Sequence, residues 1–221
     1  MSIELSKGQR INLENKSGGS LLNFCVGVNW GAIVEKKLFG LYTNKLNVDL
    51  DLSVLMLNKS GELIDYIYSP KYDNLVVNGK EFPKGKLMSE DGALRHSGDD
   101  TIGDQYGDDG LDNEVIIIDL ARVQPEVTQI YFFLNIVGEE DFSKIPFAKI
   151  RMYDGTPYTI KTTYASYDVA TEKKYASFNA LIMGKLFKQS NDWKFLAIGE
   201  PTEDQNVGET IGRILESFQL T

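Results

Sequence analysis

Nine carboxylates fall within the 26 residues from Ser89 to Glu114: Glu90, Asp91, Asp99, Asp100, Asp104, Asp108, Asp109, Asp112 and Glu114. Arg95 is the one base among them, so this segment carries −8 of a formal net charge of −9. Two like charges ~4 Å apart repel by about 4 kcal/mol at an effective dielectric of 20. Carboxylates therefore converge only when protonated, well solvated or bound to a cation. Gly98, Gly103, Gly107 and Gly110 punctuate the run and let the backbone turn its carbonyl oxygens inward. Upstream, Asn47, Asp49 and Asp51 alternate with Val48 and Leu50, which places three oxygen-bearing side chains on one face of a strand. Oxygen ligands suit a hard cation. Many carboxylates without a phosphate-binding loop favour calcium over magnesium. A solvated acidic loop with no ligand is the alternative that composition leaves open.

Other chemistries fit less well. From Asp99 or Asp104, the glycine and terminal glutamate of an EF-hand fall at the wrong positions. Zinc lacks donors, because His96 and Cys25 are the only borderline or soft ligands and lie far apart in sequence. The acidic balance argues against a nucleic-acid phosphate binder. His96 is the single histidine and no Gly-x-Ser-x-Gly elbow occurs, so no nucleophile–base set is visible. A metal-assisted phosphoester hydrolase using the same carboxylates is the enzymatic alternative. A third reading is calcium-dependent binding to anionic lipid, helped by Lys71, Lys80, Lys84 and Lys86; the plainer reading is that these lysines solvate a long loop. His96 reads as a loop histidine bonded to its turn, and Trp193 and Tyr131 as core aromatics.

The elements that must position these groups are mostly strands. Arg10–Glu14 alternates polar and apolar, and Leu22, Phe24, Val26 and Val28 share one face of a second strand. Asp49–Leu57 and Leu63–Tyr68 flank Asn58-Lys59-Ser60-Gly61-Glu62, a hairpin signal. Val115–Ile118 and Ile130–Leu134 suit buried strands. Pro146–Tyr153, Tyr158–Tyr167, Phe178–Phe187 and Trp193–Ile198 continue the series, with turns expected at Asp154-Gly155 and at Ser190-Asn191-Asp192. Ala32–Lys45 and Ser69–Ser89 interrupt the rhythm as connecting segments. Val207, Ile211, Ile214, Leu215 and Phe218 at helical spacing predict one C-terminal helix over about 205–219. The fold class expected is all-β, an antiparallel β-sandwich with a short C-terminal helix, in a single domain over 1–221. The one cysteine, Cys25, reads as a small buried hydrophobe and suggests a reducing compartment. The start is polar and acid-containing, and no apolar run approaches the ~20 residues of a membrane span. A soluble cytoplasmic protein is expected.

The residues resemble the TerD family of tellurium-resistance and stress-response proteins. Asn47-Val48-Asp49-Leu50-Asp51-Leu52-Ser53 is similar to the family's strand of alternating aspartates. His96-Ser97-Gly98-Asp99-Asp100 and Asp112-Asn113-Glu114 resemble the start and end of its second acidic motif. Leu5-Ser6-Lys7-Gly8, Val123-x-Pro125, Gly184-x-Leu186 and Trp193-Lys194-Phe195-x-Ala197-x-Gly199 also fit, so the likeness covers roughly 3–200. It implies a β-sandwich binding one or two calcium ions, with no established catalytic activity and with protein partners in a stress-response assembly. The ligands implied are Asp49, Asp51, Asp99, Asp100, Asp112 and Glu114, with Gly98 and Gly107 in backbone or turn roles. Asn47, Asp100 and Asn113 depart from the family's usual aspartate, asparagine and aspartate; an asparagine still offers a carbonyl oxygen. The stretch Asp104–Leu111 is longer than usual, so Asp108 or Asp109 is an alternative to Asp112.

Overall fold

The computed structural model describes residues 3–4, 6–14, 18–37, 42–138, 140–169, 175–190 and 192–217. Its strands are β1 (Ile3–Glu4), β2 (Arg10–Asn12), β3 (Asn23–Trp30), β4 (Ile33–Lys37), β5 (Tyr42–Leu46), β6 (Asp49–Leu57), β7 (Leu63–Ile67) and β8 (Val76–Val77). They continue as β9 (Lys80–Glu81), β10 (Leu94–His96), β11 (Glu114–Asp119), β12 (Gln129–Val137), β13 (Ala148–Thr156), β14 (Thr159–Asp168), β15 (Ala180–Gln189) and β16 (Asp192–Thr202). Helix α1 (Val207–Glu216) follows.

Two six-stranded sheets form the sandwich, in the orders β1-β14-β13-β3-β11-β10 and β2-β16-β15-β12-β6-β7. Their pairings are antiparallel except β1 with β14. Side chains alternate across a strand, and one set from each sheet meets in the middle. Phe24, Val26, Val28 and Trp30 of β3 pack with Leu50, Leu52, Val54 and Met56 of β6 and with Ile130, Phe132, Leu134 and Ile136 of β12. The second sheet also buries its outer face, where Leu55, Leu57, Tyr131 and Phe133 pack with Val207, Ile211 and Ile214 of α1 and with Leu75 and Val77. That double burial explains why β6 and β12 read as nearly continuous apolar runs. It also holds α1, which at ten residues is too short to persist alone. Among the described residues no helix is long and apolar enough to cross a membrane.

Several local expectations are corrected. Asp154-Gly155 lies inside β13, where the register with β14 shifts; the chain turns at Pro157-Tyr158 instead. Leu22 precedes β3 and is 40% exposed, so it does not share the inward face of Phe24. The described residues of the connecting segment Ala32–Lys45 belong largely to a two-stranded ribbon, in which β4 pairs with β5. Ser69–Ser89 likewise contains the β8–β9 ribbon. The helix is shorter than 205–219: Asn206 caps it, its side chain accepting from the Glu209 N–H, and Ser217 ends it. Phe218 and Gln219 lie outside the described residues.

Candidate metal centre

Strand β7 pairs with β6 only from Val54 onward, so Asp49–Ser53 runs past its end. Leu50 and Leu52 point into the sandwich, which turns Asp49 and Asp51 to the outer face. Two other segments converge there: the connection after β7, carrying Lys71 and Tyr72, and the loop after β10, carrying Asp99. Asp49, Asp51 and Asp99 each bring a carboxylate oxygen within 4.8 Å of the others. The Lys71 ammonium lies among them, at 2.8 Å from Asp49 Oδ2, 3.0 Å from Asp51 Oδ1 and 3.7 Å from Asp99 Oδ1. The Tyr72 hydroxyl donates to Asp51 Oδ2. Asp51 is only 2% exposed, and the buried Asp49 Oδ1 accepts no hydrogen bond.

Electrostatics leave this cluster short of positive charge. Burial pushes the Asp51 carboxyl up to about 7, against the pull of Tyr72 and Lys71, and burial raises Asp49 as well. Burial alone would lower Lys71, but hydrogen bonds to Asp49 and Asp51 and their charges together hold it above the ordinary lysine value. Ionised, three carboxylates facing one ammonium retain two uncompensated charges. The donors are all oxygen, the set a hard cation takes, and the orphaned Asp49 Oδ1 offers a free lone pair to one.

The other carboxylates of the acidic run are placed differently. Asp100 Oδ1 accepts the N–H groups of Ile102 and Gly103, both at 2.9 Å, closing its own turn. The Asn113 amide donates to Asp100 Oδ2 at 3.4 Å and to Asp104 Oδ1 at 3.1 Å, while its oxygen accepts the Trp30 N–H at 2.8 Å. A donor thus sits between two carboxylates, where an aspartate would have left a cation-seeking gap. Burial raises the Asp104 carboxyl. Asp108 pairs with Lys149, which lowers its pKa, and also accepts from Asn29. Asp109 Oδ1 accepts the Leu111 N–H. Asp112 Oδ1 takes Arg151 Nε at 2.8 Å and Nη2 at 2.6 Å, yet burial lifts its carboxyl to about 6.

Asn47 is exposed and accepts from Gln105. Gly98 and Gly107 adopt φ values of 124° and 102°, which glycine tolerates. The Gly98 N–H donates to His96 Nδ1, so the imidazole carries its proton on Nε2, 3.3 Å from Glu114 Oε2. His96 is not a loop residue: it ends β10, buried, and bonds the turn that follows, as expected. Glu114 is fully buried, and burial raises its pKa.

The structure therefore brings together Asp49, Asp51 and Asp99 from the sequence-derived set. It places Asn47, Gly98, Asp100, Asp108, Asp109, Asp112 and Glu114 in separate hydrogen-bonding roles, and Gly107 at a positive-φ bend of the loop. Lys71 was missed as a member of the site. In the sequence it is indistinguishable from Lys80 and Lys84, and no spacing ties it to Asp49. Reading all four lysines as solvation is also corrected at Lys86, whose ammonium lies 2.6 Å from the buried Asp65.

A two-sheet sandwich with an acidic oxygen cluster at the end of an inner strand, fed by a long acidic loop, defines the class of protein. The TerD domain matches residues 1–210, and the chain belongs to the TerD family. It is 33% identical to the stress response protein SCP2 of Bacillus subtilis, across 96% of this chain and 99% of that one. It is 30% identical to the tellurium resistance protein TerD of Serratia marcescens, covering 90% and 91% of the two chains. A solved homologue of telluride resistance protein (TerD) from Streptomyces coelicolor A3(2) shares the fold with a TM-score of 0.57 at 13% identity, over 86% of this chain and 96% of that one.

Proposed function

We propose that this is a calcium-binding, non-catalytic stress-response protein of the tellurium-resistance type, acting in the cytoplasm as a binding or assembly module for protein partners. One observation carries the reading: Asp49, Asp51 and Asp99, from segments distant in sequence, converge their oxygens within 4.8 Å. Lys71 offsets one of their charges, and repulsion among the remaining charges favours a cation of higher charge. The names of the relatives, resistance and stress-response proteins, support the biological setting. The buried thiol of Cys25 fits a reducing compartment.

One ion is the stoichiometry proposed. Asp100 and Asp104 are already bridged by the Asn113 amide, so a second cation there would have to displace a protein donor. The non-catalytic reading is supported by His96, whose two ring nitrogens are engaged by Gly98 and Glu114 and which is buried away from any substrate.

Calorimetric titration of EDTA-stripped protein with calcium, and with magnesium as control, tests the proposal. Saturable binding of one calcium with weaker magnesium is expected. No saturable calcium heat would sink it.

A further inference from the structure

We infer that Lys71 is the resident counter-ion of the Asp49–Asp51–Asp99 cluster, and that a divalent cation enters only by expelling the Lys71 ammonium, loosening the strap of chain that carries it. This rests on the reading of that cluster as a cation site. It adds what sets the affinity and what moves.

The geometry makes the two occupants exclusive. Lys71 Nζ contacts two of the three carboxylates at 2.8 and 3.0 Å and stands 3.7 Å from the third. A calcium ion bonded to those oxygens at about 2.3–2.6 Å would occupy the same space as the ammonium. Lysine is suited to this role: its charge is a single point on a flexible stem, which can retract into water without leaving a rigid void. The ammonium already spends part of its surface at the rim, with a side chain 31% exposed, so a path outward exists.

Expulsion reaches beyond one side chain because Lys71 belongs to an internally bonded strap. The Tyr72 N–H donates to Ser69 O at 3.1 Å, Gly85 N–H to Tyr72 O at 3.0 Å and Phe82 N–H to Leu75 O at 2.8 Å. Tyr72 itself is tied to Asp51 through its hydroxyl. An ion ligated by Asp51 competes with both Lys71 and Tyr72, the two adjacent groups that hold this end of the strap over β6. Further along, Leu75 and Val77 pack with Val207 and Ile211 of α1. The strap therefore links the ion's seat to the docking surface of the helix.

The test uses the full chain and calcium alone as probe, comparing wild type with Lys71→Gln and Lys71→Arg by calorimetry and hydrogen exchange. Removing the competing charge is expected to tighten calcium binding about 10-fold or more in Lys71→Gln, while Lys71→Arg stays near or below wild-type affinity. In the wild type, calcium is expected to speed exchange of the backbone amides of 71–77. Lys71→Met, checked for native near-UV dichroism, repeats the first arm should Lys71→Gln fold poorly. Equal, saturable affinity in wild type and Lys71→Gln overturns the exchange of occupants while leaving the cation site standing. Absence of binding in every chain overturns the cation site itself, and this inference with it.

Discussion

Glu114, at the start of β11 in one sheet, accepts the backbone N–H of Leu52, in β6 of the other, at 2.8 Å. Leu52 lies beyond the stretch of β6 that β7 pairs with, so the carboxylate takes the place of a missing strand. A buried N–H left without an acceptor costs about 1–3 kcal/mol. The other carboxylate oxygen accepts the Asp100 N–H at 3.1 Å, and His96 Nε2 completes the set. This one side chain thus bonds both a strand of the facing sheet and the acidic loop.

Glu114→Gln keeps the shape but turns one acceptor into a donor facing donors. It is expected to lower stability by about 1–3 kcal/mol, visible as a reduced urea midpoint with an unchanged slope. An unaltered midpoint would mean that water or backbone already supplies the acceptor.

Asp99 and Asp108 look alike in the sequence but are bonded differently. Asp99 points at the Lys71 cluster, whereas Asp108 is committed to Lys149 and Asn29. Asp99→Asn is expected to weaken calcium binding about 10-fold or more, and Asp108→Asn to leave it within about 2-fold. Because Lys149 is 42% exposed, losing its pairing with Asp108 should cost less than about 1 kcal/mol. A larger affinity loss in Asp108→Asn than in Asp99→Asn would transfer the site into the loop.

Asp112 should show an inverted pH dependence. Burial lifts its carboxyl from 3.8 to about 6 despite the pairing with Arg151. Between those values the folded chain holds a proton that the unfolded chain has lost, so this group's contribution to stability falls as pH rises from about 4 to 6. An ordinary salt-bridged aspartate does the opposite. Asp112→Asn is expected to gain stability relative to wild type across that range, measured by urea unfolding at intervals of pH. A stability difference, Asp112→Asn minus wild type, that stays constant or falls with rising pH would refute the assignment. Gly27 belongs to the same arrangement, since a Cβ there would collide with the Asp112 carboxylate, and Gly27→Ala should destabilise at every pH.

The sequence made the sandwich legible because strand periodicity is local. Phe24, Val26 and Val28 alternate visibly, and the 49–57 and 63–68 hairpin shows its turn residues. What it hid was long-range. The β4–β5 ribbon is a mixed polar stretch, so no apolar face announces it. Asp154-Gly155 has turn chemistry, yet the bulge in β13 uses it within a strand. At the site, Asp49 and Asp51 are readable as one strand face, whereas their meeting with Asp99 is implied only by the family resemblance and not by composition. Lys71 was not readable at all. Its position is set by where the segment after β7 crosses β6, which no pattern in 69–89 records. The run of nine carboxylates likewise reads as one site, whereas Arg151, Lys149 and Asn113, drawn partly from distant strands, divide it into separately compensated groups.

The C-terminal helix offers a prediction of the ordinary sign. Arg213 donates through Nε and Nη2 to Asp204, at 2.9 and 2.6 Å, and the Thr202 hydroxyl adds a bond at 2.7 Å. Burial alone would raise the Asp204 carboxyl, but Arg213 and Thr202 outweigh it and hold its pKa below the usual value. The folded state therefore releases this proton more readily than the unfolded one. The resulting stability is present at neutral pH and disappears as pH falls through the depressed value. Arg213→Gln leaves Asp204, 4% exposed, buried without its cation. The Arg213 side chain is 49% exposed, so solvent screens part of the pairing and the expected loss is about 1–2 kcal/mol at pH 7. Below the depressed Asp204 value, the two chains should converge. Hydrogen exchange should locate the loss in the amides of α1, where Val207, Ile211 and Ile214 hold the helix to the sheet. A deficit that persists undiminished in acid would show that Arg213 acts through packing of its stem rather than through its charge.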